Sequence, residues 1–417
     1  MRTEISLKRN LHFKLCAAVL LGLAVFDCSS QSPPATGSVA GERDSAFALE
    51  QQGKLPESEA AWQAVLRLRP GDSEANAHLG LLEARQEHYK EAVPLYRKAL
   101  ASNPQMPGLR LNLGLALFKS GELKLAIQVF TPLLKSETKT SPGAQRLTAL
   151  LGLAHYGVGE YSTAVPYLKS AALDDQKNLQ FRLLLAHSCL SSRQFQCVLD
   201  TYHEILTLNA ESAEADMLAG EAMDEMRNPG GAIEQFRAAV KADPKEPNVH
   251  FGLGYLLWTQ NQFEEAAREF QAELANVPDN AQALAFLADA DMQTNRAADA
   301  GPLIQKALKI DPQLGRAHLD LGILYADDGR NQDAIRELKE AARLIPEDAN
   351  PHWRLARIYQ SMGNKTQANL EFQKTRNLHK AENDTIVSKL KSAQDKGKAA
   401  EVPISSQADK SGTQPNN

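Results

Sequence analysis

The sequence predicts an all-α protein in which about ten helix-turn-helix units stack into one array. Three observations predict it: the composition, a regular spacing of prolines, and small residues at fixed positions of every period. Alanine and leucine are abundant and aromatic residues make up 6% of the chain, a mixture that favours packed helices over sheets. With 43% hydrophobic residues in 417, the chain has ample apolar material for a core.

Prolines recur every 34 residues. This spacing separates Pro244, Pro278, Pro312 and Pro346, and also Pro70 and Pro104. A fixed period of this size is typical of stacked helical arrays. The interval between Pro104 and Pro244 is four periods plus four residues, so we place one insertion near residues 137–141. The ten predicted repeats then cover residues 39–382 and begin at Val39, Ser73, Pro107, Gln145, Leu179, Ala213, Pro247, Ala281, Gly315 and Ala349.

Each predicted repeat has the same order of small and large residues. The eighth position holds Ala46, Gly80, Gly114, Gly152, Ala186, Gly220, Gly254, Ala288, Gly322 and Ala356. Twelve residues later stand Ser58, Ala92, Ala126, Ala164, Val198, Ala232, Ala266, Ala300, Ala334 and Ala368, and four residues after these a large apolar residue follows, as in Tyr96 and Phe130. Small side chains allow two helices to approach closely, and large ones fill the gap between neighbours.

This pattern resembles the tetratricopeptide repeat family. The ninth repeat shows it most fully, with Leu321, Gly322, Tyr325, Gly329, Ala334, Leu338, Ala341 and Pro346. Three repeats depart from it: the first has Ser45 and Ser58, the fifth lacks Gly and Pro, and the sixth carries a Pro-Gly-Gly turn at 229–231. The resemblance implies a right-handed superhelical solenoid of helical hairpins, whose first helices line a concave groove that binds extended peptides or partner surfaces.

The resemblance also implies which residues face this groove, namely the second, fifth, ninth, twelfth and thirteenth of each unit. The apolar ones are Leu111, Leu115, Phe118, Leu153 and Tyr156, together with an aromatic cluster of Phe251, Tyr255 and Trp258. The sixth repeat contributes an acidic cluster of Glu214, Glu221, Asp224 and Glu225. Because the two clusters lie in successive repeats, we expect a protein or extended peptide partner with basic and apolar side chains. In the alternative interpretation, aromatic residues at the fifth and twelfth positions bind no partner and only pack between repeats. This interpretation explains the apolar residues at the ninth position less easily.

The same composition argues against other functions. Lys and Arg number 46 against 51 Asp and Glu and are intermixed with them, so we expect no nucleic-acid partner, which would need a basic stripe. His250, His318 and His352 share the fourth repeat position, which indicates packing and not metal binding. Ten repeats leave no room for a catalytic pocket built from several chain segments. We therefore expect no enzyme activity, no metal and no cofactor.

The first 28 residues are predicted to be an export signal. Basic residues at 2, 8, 9 and 14 precede an uncharged apolar run at 15–26, which is the order of a secretory signal peptide. A helix of that run would rise about 18 Å, too little to span a bilayer. Cys28 is a candidate lipidation site, although Phe26 and Asp27 stand where such signals prefer small residues. We expect an exported protein of the periplasm or cell envelope, with a lipid at Cys28 as its one candidate membrane anchor.

Three further features complete the predicted organisation. Residues 29–38 form a flexible tether, and residues 383–417 form a capping helix followed by a disordered polar tail. Cys189 and Cys197 lie about four residues on either side of the fifth turn, where an exported protein could form a disulfide. We favour two free thiols, because the position of Cys197 is expected to point outward.

Together these features predict a non-catalytic protein-binding scaffold of the cell envelope. The alternative is a regulatory or accessory subunit of an envelope enzyme or secretion complex. Such a subunit would accompany an activity without contributing a catalytic residue.

Overall fold

A computed structural model describes residues 38–208, 211–294 and 296–400 of the chain. Within these ranges all regular structure is α-helical, with twenty helices and no strand. They are α1 (Val39–Gln51), α2 (Leu55–Leu68), α3 (Ser73–Arg85), α4 (Tyr89–Ser102), α5 (Leu109–Lys119), α6 (Leu123–Ser136), α7 (Pro142–Gly157), α8 (Tyr161–Asp174), α9 (Leu179–Ser191), α10 (Phe195–Thr207), α11 (Ala213–Glu225), α12 (Pro229–Ala242), α13 (Val249–Thr259), α14 (Phe263–Asn276), α15 (Ala281–Gln293), α16 (Ala297–Ile310), α17 (Gly315–Asp327), α18 (Asn331–Leu344), α19 (Asn350–Ser361) and α20 (Lys365–Ala400). The predicted export signal, Cys28, the tether up to residue 37 and the tail from residue 401 lie outside the described residues.

The chain divides into two compact units, with the boundary after Gly252. The N-terminal unit holds α1 to α12 and the start of α13, and the C-terminal unit holds the rest of α13 and α14 to α20. In each unit the odd-numbered helices pair with the even-numbered helices that follow them, as in α3 with α4 and α17 with α18. Within each unit, successive pairs then contact one another, as in α4 with α5 and α16 with α17, which is how a repeat array buries its apolar faces. None of the helices in the described ranges is long and apolar enough to cross a membrane.

Polar side chains fix where the first helices of the repeats begin. The side chains of Ser38, Asp72, Ser141, Asn178, Ser212 and Asn280 each accept a hydrogen bond from a backbone N–H three residues ahead, as N-caps do. Six helices begin at the first residue of a predicted repeat, namely α1, α3, α9, α11, α15 and α17. Helices α5 and α13 begin two residues late, because Gly108 and Asn248 before them adopt left-handed conformations with φ of 70° and 66°.

In every repeat whose turn the structure describes, the fifteenth residue is left-handed. In the described turns this residue is Gly53, Glu87, Gly121, Gly159, Arg193, Arg227, Asn261, Gly329 or Gly363. Its backbone N–H and that of the next residue donate to carbonyls of the preceding helix, as in Glu122 N–H to Leu117 O at 2.8 Å. This geometry satisfies carbonyls that the helix end leaves open and reverses the chain.

The small and large positions meet as predicted. A Cβ placed on Gly80 would lie 2.8 Å from a ring carbon of Tyr96, and one on Gly254 would lie 2.8 Å from Phe270. Tyr96, Phe130 and Phe270 are fully buried. Glycine is therefore needed at these eighth positions because a neighbouring ring occupies the space of a side chain.

The structure joins Cys189 and Cys197 by a disulfide, with their Cα atoms 5.8 Å apart. This differs from the two free thiols that we favoured from the sequence. Cys197 does not point outward: it is half-buried and packs against the core cluster of the N-terminal unit, while Cys189 is fully buried. The tight turn at Arg193, with φ of 59°, places the two residues opposite each other on α9 and α10.

Candidate functional site

The acidic cluster lies along α11, in the N-terminal unit. Glu214, Glu221 and Asp224 are half-buried and Glu225 is exposed. A carboxylate oxygen of Glu225 accepts a hydrogen bond from Arg193, with Nη2 and Oε2 2.9 Å apart. The sequence of α11 contains no basic residue that could pair with these acids along the helix. The four acidic side chains of the cluster thus lie on one helix, and one of them pairs with Arg193 of the α9–α10 turn.

A fifth acid of α11 has a structural role. Asp216 is buried, and its carboxylate accepts a hydrogen bond from the Tyr202 hydroxyl at 2.8 Å. Burial raises the pKa of Asp216, the hydrogen bond from Tyr202 lowers it, and the charge of Glu211 raises it, with a net increase. Asp216 thus holds α11 against α10.

The apolar groove residues of the N-terminal unit divide into two groups. Leu115, Phe118 and Leu153 are buried, with exposed fractions of 5%, 4% and 9%. Leu111 and Tyr156 are half-buried and keep part of their surface. Leu115 and Leu153 are the ninth residues of their repeats. Because both are buried, they pack in the core, which is the role that the alternative interpretation gave to the fifth and twelfth residues.

Tyr156 lies in a small aromatic group with neighbours from two other helices. Its ring centroid is 5.5 Å from that of Tyr161 and 5.4 Å from that of His187, both in edge-on geometry. Such edge-on pairs are favourable arrangements for rings. Tyr156 is therefore a preoriented side chain at the surface of this unit.

The predicted aromatic cluster is divided by the unit boundary. Phe251 belongs to the N-terminal unit and is 1% exposed, so its side chain has no surface for a partner. Tyr255 and Trp258 belong to the C-terminal unit and are half-buried. Phe286 of α15 packs edge-on against both, with centroid distances of 5.5 Å to Tyr255 and 5.2 Å to Trp258.

Trp258 is engaged by charged residues of its own unit. Its indole N–H donates to a carboxylate oxygen of Asp289. The guanidinium of Arg316 lies 4.8 Å from the centroid of the indole ring, a cation–π distance, and also pairs with Asp289 at 2.7 Å. The chain itself thus supplies a cation to the ring of Trp258.

Arg316 also reaches Asp320, with Nε and Oδ2 3.4 Å apart. Asp320 is fully buried, and burial raises the pKa of its carboxyl to about 8, although Arg316 lowers it. For Arg316, burial alone would lower the pKa, but the charges of Asp320 and Asp289 outweigh burial and raise it above its usual value. Sequence reasoning missed Arg316, although it stands at the second position of the ninth repeat, which the resemblance assigned to the groove.

Two of the histidines at the fourth repeat position, His318 and His352, contact a glutamate inside their own repeat. His318 Nδ1 is 2.8 Å from Glu337, and His352 Nδ1 is 2.5 Å from Glu371. Each pair joins the first helix of a repeat to its second helix. Among the described residues, no group of three or more His, Cys, Asp or Glu is placed to hold a metal ion.

Comparison with known proteins gives the following similarities. A family model described as tetratricopeptide repeat matches residues 44–107, 217–274 and 251–314, and a second model of the same description matches residues 83–151. Protein CTR9 homolog of Arabidopsis thaliana is 22% identical over 332 residues, covering 72% of this chain and 28% of that protein. BBSome complex member BBS4 of Bos taurus is 21% identical over 334 residues, covering 80% of this chain and 63% of that protein. The chain therefore spans less than two thirds of the length of either relative.

Two solved structures are similar in part. The APC/C hetero-tetramer Cut9-Hcn1 aligns with a TM-score of 0.42 and 14% identity, over 82% of this chain and 74% of that one. YrrB, a TPR protein with an unusual peptide-binding site, aligns with a TM-score of 0.35 and 16% identity, over 42% of this chain and 91% of that one.

Proposed function

We propose that this chain, an array of tetratricopeptide repeats, is a non-catalytic scaffold that binds a protein or an extended peptide through first helices of its repeats. The acidic cluster of α11 is the observation that carries the proposal. Like charges on one helix destabilise it, and Asp224 and Glu225 stand in the last turn, where the helix dipole disfavours negative charge. A basic partner segment would place cations opposite the carboxylates of this helix.

The proposed partner segment carries Lys or Arg beside apolar side chains. Its basic groups would face the acidic cluster, and its apolar groups would contact partly exposed side chains such as Leu111 and Tyr156 of the same unit. Charge complementarity of this kind mainly increases the association rate and the specificity, while apolar anchors supply affinity. BBS4, a relative, is a member of a complex, which supports a role in an assembly.

Glu221→Lys is expected to slow association with a basic, apolar peptide by about tenfold at low salt, because it reverses a charge in the acidic cluster. The probe is a fluorescently labelled synthetic peptide in which Lys and Arg alternate with Leu and Phe, and stopped-flow anisotropy gives the rate. The difference from the unmodified chain should shrink in concentrated salt, where surface charges are screened.

Glu234→Lys is the matched control for this experiment. Glu234 is exposed on α12, the second helix of the same repeat, so the substitution makes the same charge change away from the acidic cluster. If both variants slow association equally, net charge and not the acidic cluster governs binding, and the proposed site is wrong.

We further propose that the scaffold is exported and acts in the periplasm or cell envelope, with Cys28 as the candidate lipidation site. The support is the charged-then-apolar order of residues 1–28. Mass spectrometry of the protein from its native cells should find this segment removed, and a lipid mass on Cys28 would identify the anchor. Soluble cytoplasmic protein that retains residues 1–28 would contradict export.

A further inference from the structure

A cleft of about 240 Å³ opens between α17 and α19 in the C-terminal unit. Its floor is apolar and includes Ile323, Ala326 and Ile358. Trp353, Arg354 and Arg357 stand at its edge on α19. The cleft is smaller than the pockets of about 300–1,000 Å³ that hold typical small-molecule ligands, and its size suits one or two amino-acid side chains.

Trp353 is 39% exposed, which is unusual for so large an apolar side chain in a packed repeat. Both arginines lie against its ring: the guanidinium carbon is 5.2 Å from the ring centroid for Arg354 and 5.4 Å for Arg357. A guanidinium held over an aromatic face is oriented in advance and loses less freedom when it binds a carboxylate. The edge of the cleft is therefore a preformed cationic and aromatic surface.

Neither arginine at this edge forms a close ion pair with a described residue. Within the described part of the chain, neither guanidinium has a carboxylate oxygen within 4 Å. Arg354 is half-buried and lies close enough to Asp320 to favour its ionised form, whereas Arg357 is exposed. Arg357 is thus the cation most available to a partner.

We propose that this cleft binds a segment of a partner protein in which an acidic side chain stands beside an apolar one. The apolar side chain enters the cleft over Ile323 and Ile358, and the carboxylate pairs with Arg357 next to Trp353. The inference rests on the proposed scaffold function and adds a second binding surface whose charge preference is opposite to that of the acidic cluster.

The test uses the full chain and a labelled peptide with acetylated and amidated ends, in which Glu stands beside Phe and Leu. Arg357→Glu is expected to weaken its binding by at least about tenfold, because charge reversal replaces an attraction with a repulsion. Arg376→Glu is the matched control: Arg376 is exposed on α20, in the same repeat but outside the cleft, and its variant should bind within about twofold of the unmodified chain. Fluorescence anisotropy gives the dissociation constants.

Two further measurements locate the contact. Replacing Glu by Gln in the peptide should reduce binding to the level seen with Arg357→Glu. Trp353→Leu should abolish any peptide-induced change in tryptophan emission, since the other two tryptophans are the nearly fully buried Trp62 and the already engaged Trp258. The Arg357→Glu and Trp353→Leu variants should both keep the melting temperature of the unmodified chain, because the substituted side chains are exposed.

Three results would overturn the proposal: equal binding of the Gln peptide, equal loss in the Arg376→Glu variant, or binding only when the peptide has a free terminal carboxylate. The result for Glu221→Lys with the basic peptide is independent of these. If Glu221→Lys has no effect on binding of the basic peptide while Arg357→Glu weakens binding of the acidic peptide, the proposed basic partner is wrong and the proposal for the cleft is supported. If neither the basic nor the acidic peptide binds, both proposals fail.

Discussion

Replacing Phe130 with alanine is expected to lower the free energy of unfolding by about 3–5 kcal/mol, the usual cost of removing a fully buried aromatic ring. Phe130 lies on α6 and is 0% exposed. Its ring occupies the place where a Cβ on Gly114 of α5 would lie. The loss leaves a cavity at the contact between the two helices of the third repeat, and urea unfolding followed by circular dichroism measures it.

A second substitution tests the geometry of this contact. Alanine normally stabilises a helix by about 0.5–1 kcal/mol relative to glycine, yet Gly114→Ala should destabilise the chain because its methyl group would overlap the ring. In the Phe130→Ala background the same methyl enters the vacated space, so its effect should change sign. A destabilising effect of equal size in both backgrounds would show that the ring is not the obstacle.

Gly301→Ala is the matched control. Gly301 lies inside α16, and a Cβ there would meet no atom within 4 Å. The substitution should therefore show only the helix-propensity gain of about 0.5–1 kcal/mol.

The sequence predicted the contacts within repeats because these depend on short, fixed separations. Gly114 and Phe130 are sixteen residues apart in the chain, and the same separation recurs in every period, so one helical hairpin explains all ten cases. Six of the ten first helices begin at the first residue of a 34-residue period, and the other four begin one to three residues away from it. Contacts of this kind recur with the same period, so they can be recognised in the sequence.

Contacts between repeats were less predictable. Whether a ninth-position residue such as Leu115 or Leu153 is covered depends on how closely the neighbouring repeats pack, and the sequence does not specify this distance. The network of Trp258, Asp289 and Arg316 spans three repeats and occurs once, so no periodicity revealed it. The second-position rule for the groove would have identified Arg316 as a candidate, but not its partners.

The network also makes Trp258 a poor probe of binding by itself. Its ring contacts Phe286 and Arg316, and its N–H bonds to Asp289. A substitution at Trp258 would disturb these contacts as well as any partner surface. An exposed charge such as Arg357 separates binding from stability more cleanly.

Arg316→Met is expected to lower the free energy of unfolding by about 3–5 kcal/mol at about pH 9.5, above the pKa of about 8 of Asp320, because removal of one partner of a buried ion pair leaves uncompensated charge. Arg316 is the cation that faces Asp289 and Asp320, both of which are buried. Methionine keeps much of the apolar stem, so most of the loss is electrostatic. Arg336→Met is the control, since Arg336 is exposed on α18 and pairs with Asp333 and Glu337 at the surface, where such pairs contribute little.

The loss of unfolding free energy in Arg316→Met should be larger at high pH than at low pH. The carboxyl of Asp320 has an ordinary pKa of 3.8 and a pKa of about 8 in the folded chain, so between these values the folded state holds a proton that the unfolded state releases. Its contribution to stability is therefore full below about pH 4 and falls as the pH rises towards 8. Without Arg316 the pKa of Asp320 rises further, because the guanidinium no longer favours the carboxylate, and the decline continues to higher pH.

Urea unfolding of the full chain at pH 5 and about pH 9.5 tests this. Arg316→Met should be less damaging at pH 5, where Asp320 is protonated in the fold with or without Arg316. Adding Asp320→Asn to Arg316→Met should restore part of the stability at about pH 9.5, because the neutral amide carries no buried charge and takes up no proton on folding. If Arg316→Met destabilises the chain equally at both pH values, and Asp320→Asn restores nothing, then the network is held by packing and the assigned role of Arg316 as the shared cation is wrong.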